Sequence, residues 1–203
     1  MTADEHPSGM PRSYFDSMYR DEPDPWDFDT AWYERRKRDI TMALLPDERY
    51  RRALEPGCAN GALTERLAAR CDALVAFDFV DDVVQRARQR LAGRTNVEVR
   101  QESFPTYWPP DTGDLVVWSE IAYYLDVHGA RKAIEGLNEW LDPNGVVVAV
   151  HYTGATNYPR TGRAISTWLD RIHWLDRVVT VTEQQFEAGV WRKHPRSVRA
   201  VRR

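Results

Sequence analysis

Long apolar runs are missing from this chain. No stretch approaches the ~18 consecutive apolar residues of a membrane-spanning helix. The N-terminus, Met1 to about Arg12, is polar with Pro and Gly and carries no apolar signal core. A cytoplasmic protein with no membrane partner is the expectation. Cysteine is scarce as well: Cys58 and Cys71 are the only two, too few for a disulfide framework. There is no basic surplus, because 28 Lys and Arg stand against 31 Asp and Glu for a net charge of −3. A nucleic-acid partner, whose phosphates call for a positive excess, is not expected. The basic run from Arg192 to Arg203 reads as a solvated tail. The histidines at 6, 128, 151, 173 and 194 lack metal-ligand spacing, so no metal is expected.

What is present is a small-residue turn between two apolar segments. Arg52-Ala-Leu-Glu-Pro-Gly-Cys-Ala-Asn-Gly61 leads into a helical pattern, and seventeen residues after Gly61 a second apolar segment ends on Asp78. Small residues at Gly57, Ala59 and Gly61 let the backbone approach a ligand, and a carboxylate at the end of the second strand can accept ribose hydroxyls. The dinucleotide spacing G-x-G-x-x-G would need glycines at 57, 59 and 62, where the chain has Gly57, Ala59 and Ala62. The stretch fits E-x-G-x-G-x-G with one Gly replaced by Ala. Taken alone, it remains compatible with an ordinary tight turn. Cys58, with no His or base near it in sequence, reads as a small buried spacer before a nucleophile.

Along the chain, Tyr14 to Phe28 is rich in aromatics and broken by Pro23 and Pro25, so it reads as an ordered lid or a surface wrap. Thr30 is placed to cap a helix from Ala31 to Leu45, with Ile40, Ala43 and Leu44 inward and the charged run Glu34 to Arg38 in solvent. Strands are expected at 73–77, 96–101, 114–119 and 146–152, besides the one entering the turn. Helices are marked by Leu63 and Leu67, by Val83 to Leu91, and by a segment from about His128 to Leu141. Ile165 to Ile172 outlines a last helix, and 177–182 with 186–192 reads as an antiparallel hairpin. The fold class is α/β: a doubly wound, Rossmann-like, seven-stranded sheet, mostly parallel, with a C-terminal hairpin and an N-terminal helical lid. One domain is expected over 1–203, with the lid and helix in 1–45, the cofactor-binding core in 50–152, and the closing helix and hairpin in 153–203.

Four strand ends then meet at one sheet edge: Glu55 with Gly57 to Gly61, Asp78, Glu102-Ser103 and Ser119-Glu120. Together they resemble a class I S-adenosylmethionine-dependent methyltransferase. Asp24-Pro25-Trp26, Trp32-Tyr-Glu-Arg-Arg-Lys37, Glu55 to Ala62 and Ser119-Glu-Ile-Ala-Tyr-Tyr-Leu125 are similar to nodulation protein S, a family of N-methyltransferases of chitooligosaccharide signals. The similarity covers roughly residues 14 to 152 and weakens over the hairpin. The resemblance implies S-adenosyl-L-methionine as cofactor. Gly57, Cys58, Ala59 and Gly61, below Glu55, would border its methionine and ribose parts. Asp78 would bind the ribose, Phe79 would stack near adenine, and Glu102 or Ser103 would meet the adenine amino edge. Ser119 and Glu120 would lie beside the methyl end under Trp26 and Lys37, with Lys37 a partner for the cofactor carboxylate.

Methyl transfer needs its two reactants held close and collinear more than it needs a triad. An amine acceptor must be neutral, so Glu120 is a candidate base, or else a partner for the methionine ammonium or a helix cap. His151 is a second candidate base, or a satisfied core residue. Tyr123 and Tyr124 either line the acceptor pocket or belong to the core. The expected reaction is N-methylation of an amino sugar or similar small amine. The alternatives are O-methylation of a small hydroxylated or carboxylated metabolite, and a non-catalytic cofactor-binding protein.

Overall fold

The computed structural model describes residues 9–195. The polar stretch 1–8 with His6, and the 196–203 portion of the basic run, lie outside the described residues. Seven strands, β1 (Tyr50–Pro56), β2 (Cys71–Asp78), β3 (Val97–Gln101), β4 (Gly113–Ser119), β5 (Leu141–Tyr152), β6 (Leu175–Thr182) and β7 (Phe186–Lys193), are crossed by six helices. The sheet order is β3-β2-β1-β4-β5-β7-β6. Pairing is parallel from β3 to β5, and β7 runs antiparallel between β5 and β6. This is the doubly wound sheet with a closing hairpin that the strand pattern predicts.

The strands form because their apolar runs can be covered on both faces. Leu115 to Trp118 of β4 and Val146 to Val150 of β5 are essentially inaccessible. On one face α3 (Ala62–Ala68) brings Leu63 and Leu67 against Leu74, Leu115 and Val148. On the other, α5 (Val127–Trp140) and α6 (Gly162–Asp170) bring Ala133, Leu137, Ile165 and Leu169 against Val116, Trp118 and Val147. Asp126, two residues ahead of His128, caps α5, its Oδ1 accepting the Gly129 N–H at 2.7 Å.

Residues 102–112, between β3 and β4, are irregular, because Pro105, Pro109 and Pro110 each remove a helical donor. Two local expectations need correction. The turn that the sequence marks at Pro143-Asn144-Gly145 lies inside β5, where Leu141 already pairs with Gly113 before the register shifts to Leu115 and Val146; Asn144 takes a left-handed φ of 66° there. The second concerns α2 (Trp32–Leu44). Thr30 does not cap it; Ala31 holds the cap position without a side-chain bond, and the Thr30 hydroxyl lies 3.3 Å from Asp27 Oδ1. Its buried face is Glu34, Lys37, Arg38 and Thr41, while Ala43 is exposed. The spacing is helical, but the stripe turned inward is the charged one. The remaining helices are α1 (Arg12–Asp21), which seats Phe15 and Tyr19 over the sheet edge, and α4 (Asp81–Arg90).

Candidate active site

From β1 the chain steps to β2 and β3, and from β4 to β5, so the loops at their carboxyl ends part and open a cleft. A cavity of about 510 Å³ fills it, within the range of small-molecule sites. Its floor is the β1 and β4 ends, and α1, the 24–28 turn and α2 cover it, with Phe15, Tyr19, Trp26 and Phe28 on the roof. Trp26 packs edge-on to Tyr19 at 5.5 Å. The aromatic N-terminal segment is therefore built into the cavity.

Gly57, Cys58 and Ala59 line the cavity, together with Glu55 and Asp78. Gly61 does not. Its φ is +79°, and a Cβ there would lie 3.2 Å from Ala87 Cβ; its smallness serves the close approach of α4, correcting its expected place at a ligand. Gly57 has φ +68°, and a Cβ would meet Ile121 Cδ1 at 2.4 Å. Ala59 is a non-glycine residue at φ 47°, a region that costs an L-residue about 1–2 kcal/mol. Ala59→Gly is expected to raise unfolding free energy by about 0.5–1 kcal/mol, the relief of strain being partly offset by a freer unfolded chain. Urea denaturation checks this; a lower midpoint would show that the methyl is accommodated without strain.

Asp78 ends β2 with its carboxylate on the cavity wall. Oδ1 accepts the Val80 N–H at 3.1 Å and Oδ2 accepts the Ala59 N–H at 3.2 Å. Burial pushes this carboxyl up, tempered by those amides and by Arg12. Its free lone pairs can take a vicinal diol. Phe79 beside it stands edge-on to Phe15 at 5.3 Å, with the Arg12 guanidinium 5.5 Å from its ring. Glu102 reaches the wall; Ser103 does not, its carbonyl accepting the Thr106 and Tyr107 N–H groups in a turn. Cys58 is a buried free thiol pushed well above its usual range by burial, in line with a spacer. Under the turn, Glu55 is buried and pushed up to about 8 by desolvation, with Thr64 tempering the rise. Its Oε2 has no hydrogen-bond partner in good geometry.

At the β4 end Ser119 lies on the wall and Glu120 turns inward at φ 55°. Glu120 Oε1 accepts from Lys37 Nζ at 2.7 Å; Oε2 accepts from the Tyr123 hydroxyl at 2.6 Å and the Tyr152 N–H at 2.9 Å. Burial alone would raise this carboxyl, but the Lys37 ammonium holds it below the usual range. Lys37 also donates to Glu34 Oε1 at 2.8 Å. Tyr123 and Tyr124 line the cavity on a 3₁₀ turn over 122–124, their rings edge-on at 4.6 Å. His151 is not on the wall: its Nε2 accepts the Ala122 N–H at 3.1 Å, and burial lowers it to about 4. It fixes the 3₁₀ turn from below.

The sequence reading missed Tyr33, Glu34, Arg38, Asn60 and Tyr158, all on the wall. For Glu34 and Arg38 a signal existed, the acid-base pairs at i, i+3 and i, i+4 with Lys37 and Arg38. For Tyr158, on a loop, there was none. Among the described residues no helix is long and apolar enough to cross a membrane.

A family model described as Nodulation protein S (NodS) matches residues 17–154. The chain belongs to the nodulation protein S family. Nodulation protein S of Sinorhizobium fredii is 36% identical over 132 residues, 62% of this chain and 59% of that protein. The chain thus spans less than two thirds of the length of this curated relative. The crystal structure of N-methyltransferase NodS from Bradyrhizobium japonicum WM9 in complex with S-adenosyl-L-homocysteine is 26% identical, with TM-score 0.79, covering 88% of this chain and 97% of that one. A crystal structure from Pseudomonas syringae is 40% identical with TM-score 0.72, over 80% of this chain and 100% of that one. The resemblance and the Rossmann-like fold expected from the sequence are both borne out. The family match ends two residues past β5, in keeping with a weaker likeness over the hairpin.

Proposed function

We propose that this chain transfers a methyl group from S-adenosylmethionine to the nitrogen of an amino sugar or similar small amine. The donor supplies a methyl group on a sulfonium, a leaving group that needs no further activation. The chain's own residues hold and align the reactants. Asp78 accepts the ribose hydroxyls. Gly57, Cys58 and Ala59 wall the donor on one side and Ser119 on another. Phe79 and Glu102 face its base, and Trp26 closes the roof. The name of the Bradyrhizobium relative, an N-methyltransferase with S-adenosyl-L-homocysteine bound, supports this reading.

The observation that carries the choice of an amine is the charge state at the β4 edge. Glu120, paired to Lys37 at 2.7 Å and held ionised, is a weak base but a good acceptor for the N–H of a neutral amine. His151 lies behind the wall and is itself weakly basic. A hydroxyl acceptor would need its proton removed in the site, whereas an amine can arrive already neutral from solution. Glu120 then orients the nitrogen, and Tyr123 and Tyr124 offer ring faces to a sugar.

Product mass spectrometry on a panel of amino sugars and hydroxylated metabolites tests this. One added CH₂ on nitrogen is expected, and methylation confined to hydroxyls overturns it. Asp78→Ala is expected to weaken S-adenosylhomocysteine binding about 100-fold in calorimetry; unchanged affinity would remove Asp78 from the ribose. Donor binding with no transfer to any acceptor would favour a non-catalytic protein.

A further inference from the structure

α2 turns two cations into the cavity, and they are not equivalent. Lys37 is spent: its ammonium bonds Glu34 at 2.8 Å and Glu120 at 2.7 Å and lies 4.8 Å from the Tyr33 ring centre. Arg38 is buried to 8% exposure and also lines the cavity. Its Nη2 donates to the Phe28 carbonyl at 2.6 Å, but Nε and Nη1 are buried with no hydrogen-bond partner. The nearest carboxylate oxygen, Glu34 Oε2, is 4.0 Å from Nη1, too far for a hydrogen bond. Unpaired guanidinium donors are costly inside a protein. An anionic oxygen drawn against Arg38 would satisfy them.

The position fixes which anion. Phe28, which holds Arg38, adjoins Asp29, and Asp29 accepts from Asn60 Nδ2 at 3.3 Å, within the Gly57–Gly61 turn. Glu34, Lys37, Arg38 and Glu120 sum to zero, with Lys37 bonded between the two acids and Arg38 4.0 Å from Glu34. Such a wall suits a zwitterion, its carboxylate toward the unpaired Nε and Nη1 of Arg38 and its ammonium toward Glu34. The α-amino-acid end of the proposed methyl donor has that chemistry, and the turn beside it is where that end would lie.

Resting on the proposed donor, we infer that Arg38, rather than Lys37, binds the carboxylate of the donor's amino-acid end and makes the site select for it. Lys37 instead positions Glu120. Arg38 is a binding residue, so its loss should be felt only by ligands that carry the carboxylate.

Calorimetry with two probes separates this from a structural role. S-Adenosylhomocysteine carries the amino-acid end, and 5′-methylthioadenosine lacks it. The native chain is expected to prefer the first. Arg38→Met should weaken S-adenosylhomocysteine about 100-fold and leave 5′-methylthioadenosine unchanged, which also reports that the pocket is folded. Should Arg38→Met lose both through misfolding, Arg38→Lys keeps the charge; it should lose about tenfold on the first probe and nothing on the second. Equal losses on both probes in Arg38→Lys, or no loss on the first probe in a folded variant, overturns the inference. If the native chain binds neither probe, the donor itself is wrong, a result distinct from failure at Arg38.

Discussion

Lys37→Met is expected to lower the unfolding free energy by about 3–5 kcal/mol, because it removes the cation from a buried trio and leaves two carboxylates facing one another. The side chains of Lys37 and Glu34 are 6% and 7% exposed and that of Glu120 is 17% exposed, so solvent cannot take over the screening. Burial alone would lower the lysine, yet Glu120 and Glu34 together raise it. Of the two acids, Glu120 is held below its usual range while burial pushes Glu34 up. Neutralising Glu34 should help: Lys37→Met with Glu34→Gln is expected to recover more than 1 kcal/mol of what the single change loses, a coupling typical of contacting charges. Guanidinium denaturation at neutral pH measures both. A loss below about 1 kcal/mol for Lys37→Met would mean that the trio is solvated and does not brace the cavity wall.

The same trio shows where sequence reasoning stops. Strands β2, β4 and β5 were legible because a strand buried on both faces must be a continuous apolar run, and few other local patterns look like 73–77 or 146–150. The carboxyl-edge acids Asp78 and Glu120 were legible because topology alone brings strand ends together. The burial of α2 was not. A charged run with helical spacing is ordinarily a solvated face, and only the acid-base spacing of Glu34 with Lys37 and Arg38 hinted that the charges could satisfy one another inside. The sequence marks Gly61 and Gly57 as room for a ligand, but a glycine with positive φ serves helix packing or a neighbouring side chain equally well, and only the folded structure separates these uses. Tyr158 carried no local signal, because its place on the wall depends on how the loop after β5 crosses the 3₁₀ turn.

Between about pH 5 and pH 8 Glu55 is expected to make the native protein lose stability as pH rises, and Glu55→Gln should remove that contribution. Glu55 has no cation beside it. Burial shifts its carboxyl from the ordinary 4.5 up to about 8. The folded chain therefore holds this proton through a range in which the unfolded chain has already released it. With more protons bound to the folded state, unfolding free energy falls with pH, by up to about 1.4 kcal/mol per pH unit for one such group. The stabilisation is complete below the unfolded value, erodes through the interval and is gone above the folded one. Across the interval this is on the order of 2–4 kcal/mol, set against the opposite slope of acids whose folded values are depressed, such as Glu120. Comparing the two chains isolates the Glu55 contribution, since every other group is shared. The native-minus-variant difference should decline steadily from pH 5 to pH 8 and then level off. Parallel stability curves would place the Glu55 carboxylate in contact with water, and the floor of the cavity would then be open beneath the glycine turn.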